Sequence, residues 1–186
     1  MMGLINSTML PLGTIAPDFN LLDVVANKQR PLASLKSSTG TLIFFICNHC
    51  PYVKHVLPEL VQMAHDYQQR GIAFIGISAN DIDQQPDDSP TKMKELMQKL
   101  KFPFIYLYDE TQMVAKAYEA ACTPDFFLFD HQMRCVYRGQ LDDSRPGNQV
   151  PLTGQDLRMA LDNLLTHQPI DPVQKPSIGC SIKWKA

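Results

Sequence analysis

The sequence predicts an α/β domain with a mixed central sheet and helices on both faces. Three observations carry that expectation. Leu42-Ile43-Phe44-Phe45-Ile46-Cys47 and Ile72 to Ile77 are apolar runs of strand length, read as strands buried on both faces. Helical periodicity follows each of them, and strand–helix alternation implies parallel strands joined by right-handed crossovers. Phe126 to Phe129 and Arg134 to Tyr137 flank Asp130-His131-Gln132-Met133, which signals an antiparallel hairpin late in the chain.

Taken in order, residues 1–16 read as an N-terminal arm. Pro17-Asp18-Phe19 and Arg30-Pro31 bracket a short hairpin or irregular strand. After the first buried strand, Pro51 fits the first turn of a helix, where its missing N–H costs nothing. Val53, Leu57, Leu60, Val61 and Ala64 recur at helical spacing as far as Gly71, and Pro58 inside that pattern predicts a kink. Asn80 to Pro90 is polar, acidic and proline-bearing, hence a loop. Ser89-Pro90 opens a helix to about Lys101, Phe104 to Tyr108 is a strand, and Asp109 caps a helix ending near Ala120. Gly154 to Thr166 is the last amphipathic helix. Residues 17–166 form the domain. Residues 167–186 hold three prolines and no helical period, and read as an extended tail lying on it.

Composition narrows the function. The chain has 186 residues, 45% of them hydrophobic, which suits one globular domain. Seventeen Lys and Arg against nineteen Asp and Glu give a net charge of -2 with no long cationic run, so neither nucleic acid nor an anionic membrane is an expected partner. No run approaches the ~20 apolar residues of a membrane span, and no signal-peptide pattern opens the sequence; the expected location is cytoplasmic. Five cysteines cannot all pair internally, and in a reducing compartment they read as reactive, metal-binding or inert thiols.

Cys47-Asn48-His49-Cys50-Pro51 sits where the first buried strand gives way to a helix. With Pro51 in the first turn, Cys50 is the N-cap. Its sulfur then faces free amide hydrogens and the positive end of the helix dipole, both of which stabilise a thiolate. His49 and Lys54 add positive charge nearby. Cys47 and Cys50 are spaced as a redox pair, but the N-cap cysteine is the second of the two, and the residue three positions on is Val53. A Cys47, His49 and Cys50 metal site, with Cys122 as a fourth ligand, is a competing reading that lacks the second close pair expected of structural zinc.

These motifs carry a resemblance. Ala16-Pro17-Asp18-Phe19, Cys-Asn-His-Cys-Pro-Tyr after the first strand and Cys122-Thr123-Pro124-Asp125-Phe126-Phe127 resemble the thioredoxin-like superfamily. Within it they resemble the peroxiredoxin-like group related to alkyl hydroperoxide reductase and thiol-specific antioxidant proteins. Tyr137 to Pro146 and Pro176 to Lys185 match closely as well. The resemblance implies a three-layer α/β/α fold with a cis Pro124. A cis proline there leaves the Thr123 backbone to pair with an extended thiol substrate beside Cys50. It places Cys50 at the attacking-cysteine position of thioredoxins. Val53 falls where thioredoxins carry the resolving cysteine and peroxiredoxins the peroxidatic one. Gly139, Asp142, Asp143 and Arg145 are expected to emerge near Cys50, Arg145 to stabilise a thiolate or bind an acidic group and an aspartate to relay a proton; a self-contained turn is the alternative. Asn80 and Asp81 are candidates for the same rim.

The function so implied is a thiol-based redox protein with Cys50 as nucleophile, no cofactor, a thiol or disulfide substrate or peroxide, and an external thiol reductant. Cys47 and Cys122 are the favoured resolving thiols. His49, Thr123, Pro124, Asp142, Asp143 and Arg145 are the expected substrate-binding residues. A thiol peroxidase, or a binding or metal-binding module that kept the fold, are the alternatives.

Overall fold

The computed structural model describes residues 3–186. Its strands are β1 (Leu4–Asn6), β2 (Asn20–Asp23), β3 (Lys28–Pro31), β4 (Gly40–Phe45), β5 (Ile72–Ser78), β6 (Ile105–Tyr108), β7 (Cys122–Thr123), β8 (Asp125–Asp130), β9 (Cys135–Gly139) and β10 (Ile178–Ser181). Its helices are α1 (Pro51–Gln68), α2 (Pro90–Leu100), α3 (Met113–Ala117) and α4 (Gln155–Leu165).

Seven strands build the central sheet in the order β3-β2-β6-β5-β4-β8-β9. β4 pairs parallel with β5, and β5 with β6, while β8 and β9 add antiparallel on one side and β2 and β3 on the other. The expected mixed sheet is therefore present. Every residue of β4 is buried, as an unbroken apolar run in a central strand requires.

The pleat sends alternate side chains to opposite faces. Leu42 and Phe44 of β4 and Phe126 and Leu128 of β8 pack with α1, α2 and α4 on one face. Ile43 and Phe45 join Phe127 and Phe129 under α3 and the Tyr118 ring on the other. Edge-on aromatic contacts tie these layers, among them Phe44–Phe104 and Phe45–Phe127.

Two expectations need correcting. α3 begins at Met113 after a left-handed Gln112, not at Asp109. Asp109 serves it from a distance: its Oδ2 accepts the Ala115 N–H at 2.8 Å. A tryptophan near the end of the tail is expected to anchor it by burying its ring, yet Trp184 is 37% exposed, with Lys116 Nζ 5.6 Å from the ring centre. Helix α1 continues through Pro58 as one element.

The chain's two end segments meet in a second sheet, ordered β1-β10-β7. The arm then runs along β9, with the Gly13 and Ala16 amides on the Cys135 and Met133 carbonyls. The tail is extended as expected, but it also contributes a strand. Two glycines permit its close docking. A Cβ on Gly139, at φ 135°, would lie 2.1 Å from the Lys175 carbonyl oxygen, and one on Gly179 would lie 2.0 Å from that of Thr123.

Candidate active site

Cys50 is the N-cap of α1, in extended conformation, with Pro51 in the first turn. Its sulfur meets three groups. The Thr123 carbonyl is 3.3 Å away, the Cys180 sulfur 2.8 Å away, and Cys47 adjoins it through the preceding turn. The Thr123–Pro124 bond is cis, which turns the Thr123 carbonyl toward the helix start.

The thiol is acidic for physical reasons. The hydrogen bond from the Cys47 thiol is the largest influence. It works against burial and is joined by the Cys180 thiol and the Val53 and Cys180 amides, and together they bring Cys50 down to about 5. Its neighbours go the other way. Burial first, then donation to Cys50, pushes Cys47 well above the ordinary thiol range, and burial with the adjacent Cys50 charge takes Cys180 up to about 12. One thiolate is thus served by two thiols that keep their protons.

A second group braces the turn. Asp88 is fully buried. Its Oδ1 accepts the Asn48 and His49 amides at 2.7 and 3.2 Å; its Oδ2 takes His49 Nδ1 at 2.6 Å and Asn80 Nδ2 at 2.8 Å. Burial raises its carboxyl, but the bonds from His49 and Asn80 outweigh that and leave it below the usual carboxylate range. Asn80 Oδ1 accepts the Lys183 N–H at 2.8 Å, so one amide side chain joins this brace to the tail.

Cys47, His49 and Asp88 bring their ligand atoms within 4.8 Å of one another. His49 Nδ1 already serves Asp88, and Cys47 Sγ touches Thr123 Oγ1 at 3.4 Å. Cys50, which the sequence reading put in a metal set, faces Thr123 and Cys180 instead. An apolar groove of about 420 Å³ between α1 and α2 reaches this corner, lined by Cys47, Val53, Leu57 and Leu100 among others.

The loop after β9 is knitted mainly by its own residues, with outside ties from Asp143 to Lys175 and from Ser144 to His55. Asp142 accepts the Ser144 amide on Oδ1, and the Thr153 and Gly154 amides on Oδ2 at 2.7 and 2.6 Å. Arg145 donates to the Asp142 and Ser144 carbonyls and to Gln140 Oε1. Asp143 pairs with Lys175 at 2.6 Å on the surface. Of the expected roles for these three, the structure favours the knitted turn; Arg145 only shares a small hollow with Pro124, Tyr52 and His55. Cys122 lies beside the cis-proline loop, but its sulfur turns to the Pro124 carbonyl at 3.7 Å, and burial pushes its thiol far up.

Sequence reasoning missed Asp88 and left Cys180 unplaced. Asp88 sits in a polar loop where nothing distinguishes it from Asp87. Cys180 carried one legible signal, the preceding Gly179, which marks a close backbone approach.

The AhpC/TSA family model matches residues 12–138. Among the curated proteins none matches. An uncharacterized conserved protein from Geobacillus kaustophilus is 56% identical over 100% of this chain and 98% of its own, with a TM-score of 0.98. A hypothetical protein from Sinorhizobium meliloti 1021 is 44% identical over 97% and 98%, with a TM-score of 0.94. A thiol:disulfide interchange protein of the thioredoxin family from Chlorobium tepidum TLS shares the fold at 19% identity, over 83% and 98%, with a TM-score of 0.62.

Proposed function

Because the chain belongs to the AhpC/TSA family, we propose that it is a thiol–disulfide oxidoreductase whose nucleophile is Cys50. Family membership and the thioredoxin-like fold support a thiol redox protein in general. The observation that carries the finer reading is the acidic Cys50 thiol at a helix start, across from the cis Thr123–Pro124 bond.

The Cys50 thiolate attacks one sulfur of a disulfide, forms a mixed disulfide and expels the other half as a thiolate; a second thiol then releases the first half. Val53, at the position of the peroxidatic cysteine in peroxiredoxins, is an apolar residue buried in the first turn of α1, so peroxide as the oxidant requires Cys50 itself to be oxidised to a sulfenic acid. His49 is a positioning residue in this scheme, since its Nδ1 is taken by Asp88.

The test is dithiothreitol-driven reduction of glutathione disulfide, run beside dithiothreitol-driven peroxide consumption. Disulfide reduction lost in Cys50→Ser supports the reading. Peroxide consumption lost in that variant, without disulfide reduction, replaces it with the peroxidase; neither activity depending on Cys50 removes both.

A further inference from the structure

The strand edge beside the cis proline is already occupied. β10 lies antiparallel on β7, and its register sets Cys180 opposite Thr123. The Ile182 amide donates to the Ala121 carbonyl at 3.0 Å, extending the pairing past the strand. This is the edge the sequence reading left open for an extended, thiol-bearing substrate. Residues 178–181 of the same chain fill it, and they bring a thiol to 2.8 Å from Cys50 Sγ.

The seating is specific. Gly179 admits the Thr123–Pro124 backbone where any Cβ would strike the Thr123 oxygen at 2.0 Å and approach the Pro124 nitrogen at 3.2 Å. Beyond the strand, Asn80 Oδ1 and Gln112 Nε2 hold the two sides of Lys183, and the Asp81 amide bonds its carbonyl at 2.9 Å. The tail is therefore fixed on both sides of Cys180.

We propose that β10 is a built-in substrate strand, and that Cys180 is the resolving cysteine for Cys50. This rests on Cys50 being the nucleophile. After Cys50 has taken one half of an external disulfide, the Cys180 sulfur attacks Cys50 Sγ. The Cys50–Cys180 bond forms, the bond to the substrate half breaks, and that half leaves as a thiolate that takes the Cys180 proton. One disulfide is thereby reduced to two thiols and the two cysteines are oxidised to one disulfide; an external dithiol reverses the second change. With Cys50 in a mixed disulfide, the like charge that helps hold the Cys180 proton is gone. Cys122 and Cys135 are committed elsewhere, to the Pro124 and Tyr137 carbonyls; Cys47 adjoins Cys50 as well as Thr123 Oγ1 and is the one competing thiol. While β10 is seated, Cys50 is fully buried and an extended peptide cannot pair with Thr123, so the strand must lift for a disulfide to reach the sulfur and reseat for Cys180 to attack.

Reduced protein treated with glutathione disulfide and mapped by mass spectrometry tests this. Wild type yields a Cys50–Cys180 crosslink and retains no glutathione. Cys180→Ser retains one glutathione on Cys50, with a lifetime about a hundredfold or more longer, because an oriented intramolecular thiol has been lost. Gly179→Ala, which keeps both cysteines but unseats the strand, also retains it. A crosslink from Cys50 to Cys47 or Cys122, or equal glutathione retention in wild type and Cys180→Ser, overturns the role of Cys180 while leaving Cys50 as nucleophile. Crosslinking in Gly179→Ala as fast as in wild type overturns the built-in strand. If glutathione reaches Cys50 in none of the three proteins, the nucleophile reading fails and this inference falls with it.

Discussion

Removing the Cys47 thiol tests what makes Cys50 acidic. In the wild type the Cys50 thiol lies near 5, with the Cys47 hydrogen bond as its main cause. A hydrogen bond to a charged group contributes about 1.5–3 kcal/mol, and each pKa unit is worth about 1.36 kcal/mol. Cys47→Ala should therefore move the midpoint up by about one to two units, to roughly 6–7, while Cys47→Ser, which keeps a donor, should stay close to wild type. The assay is ultraviolet thiolate absorbance against pH, taken as the difference from Cys50→Ser. Alkylation at neutral pH is a poor substitute. Lowering a thiol from ~8.5 to about 5 raises its ionised fraction about thirtyfold at pH 7, but the loss of basicity costs a comparable factor in nucleophilicity. A midpoint that stays near 5 in Cys47→Ala refutes the assignment to Cys47. A wild-type midpoint near 8.5 refutes the acidic thiol altogether.

Other outcomes follow from the same geometry. Because the folded Cys50 thiol lies below its unfolded value of about 9, it contributes stability that grows with pH between about 5 and 9, so the stability difference between wild type and Cys50→Ser should widen over that window; Cys47 and Cys180, both raised, oppose it only above about 9. Asp88→Ala removes four hydrogen bonds to buried or half-buried groups and should lower the unfolding free energy by about 3–5 kcal/mol in urea titration. Asp125 is completely buried, neither oxygen makes a well-formed hydrogen bond, and burial, outweighing the pull of Ser7 and the Ala121 and Phe126 amides, raises its carboxyl to about 8. Its unfolded form ionises near 3.8, so stability is lost as pH rises toward 8; Asp125→Asn should flatten that fall and gain a few kcal/mol at alkaline pH by urea titration. Gly139→Ala drives a Cβ into the Lys175 carbonyl, and amide hydrogen exchange over residues 174–183 should speed up.

The central strands were legible because their residues are apolar on both faces, and a run such as Leu42–Ile46 has few other uses. The N-cap at Cys50 was legible because Pro51 is tolerated in few positions of a helix. Helix α3 was misjudged because Asp109 does bond a helical amide, yet from a buried side chain reaching six residues ahead rather than from the cap position. The candidate site was half legible. Cys50 and Cys47 come from local pattern, and the Thr123–Pro124 loop from the family resemblance. Asp88 and Cys180 reach the turn from 40 and 130 residues away, and no period or spacing encodes a meeting of that kind. Asp142 and Arg145 show the reverse case: charged residues near the site in the fold whose bonds all go to their own turn.

The small sheet that joins β1, β10 and β7 has a consequence for biosynthesis. Its pairings span most of the polypeptide, and contacts of such sequence separation are slow to close. A ribosome that has delivered Cys50 must add well over a hundred further residues before the sulfur facing it exists. Through that interval the nascent chain carries the Cys50 thiol without its cover, and the candidate site is the last part of the molecule to be finished.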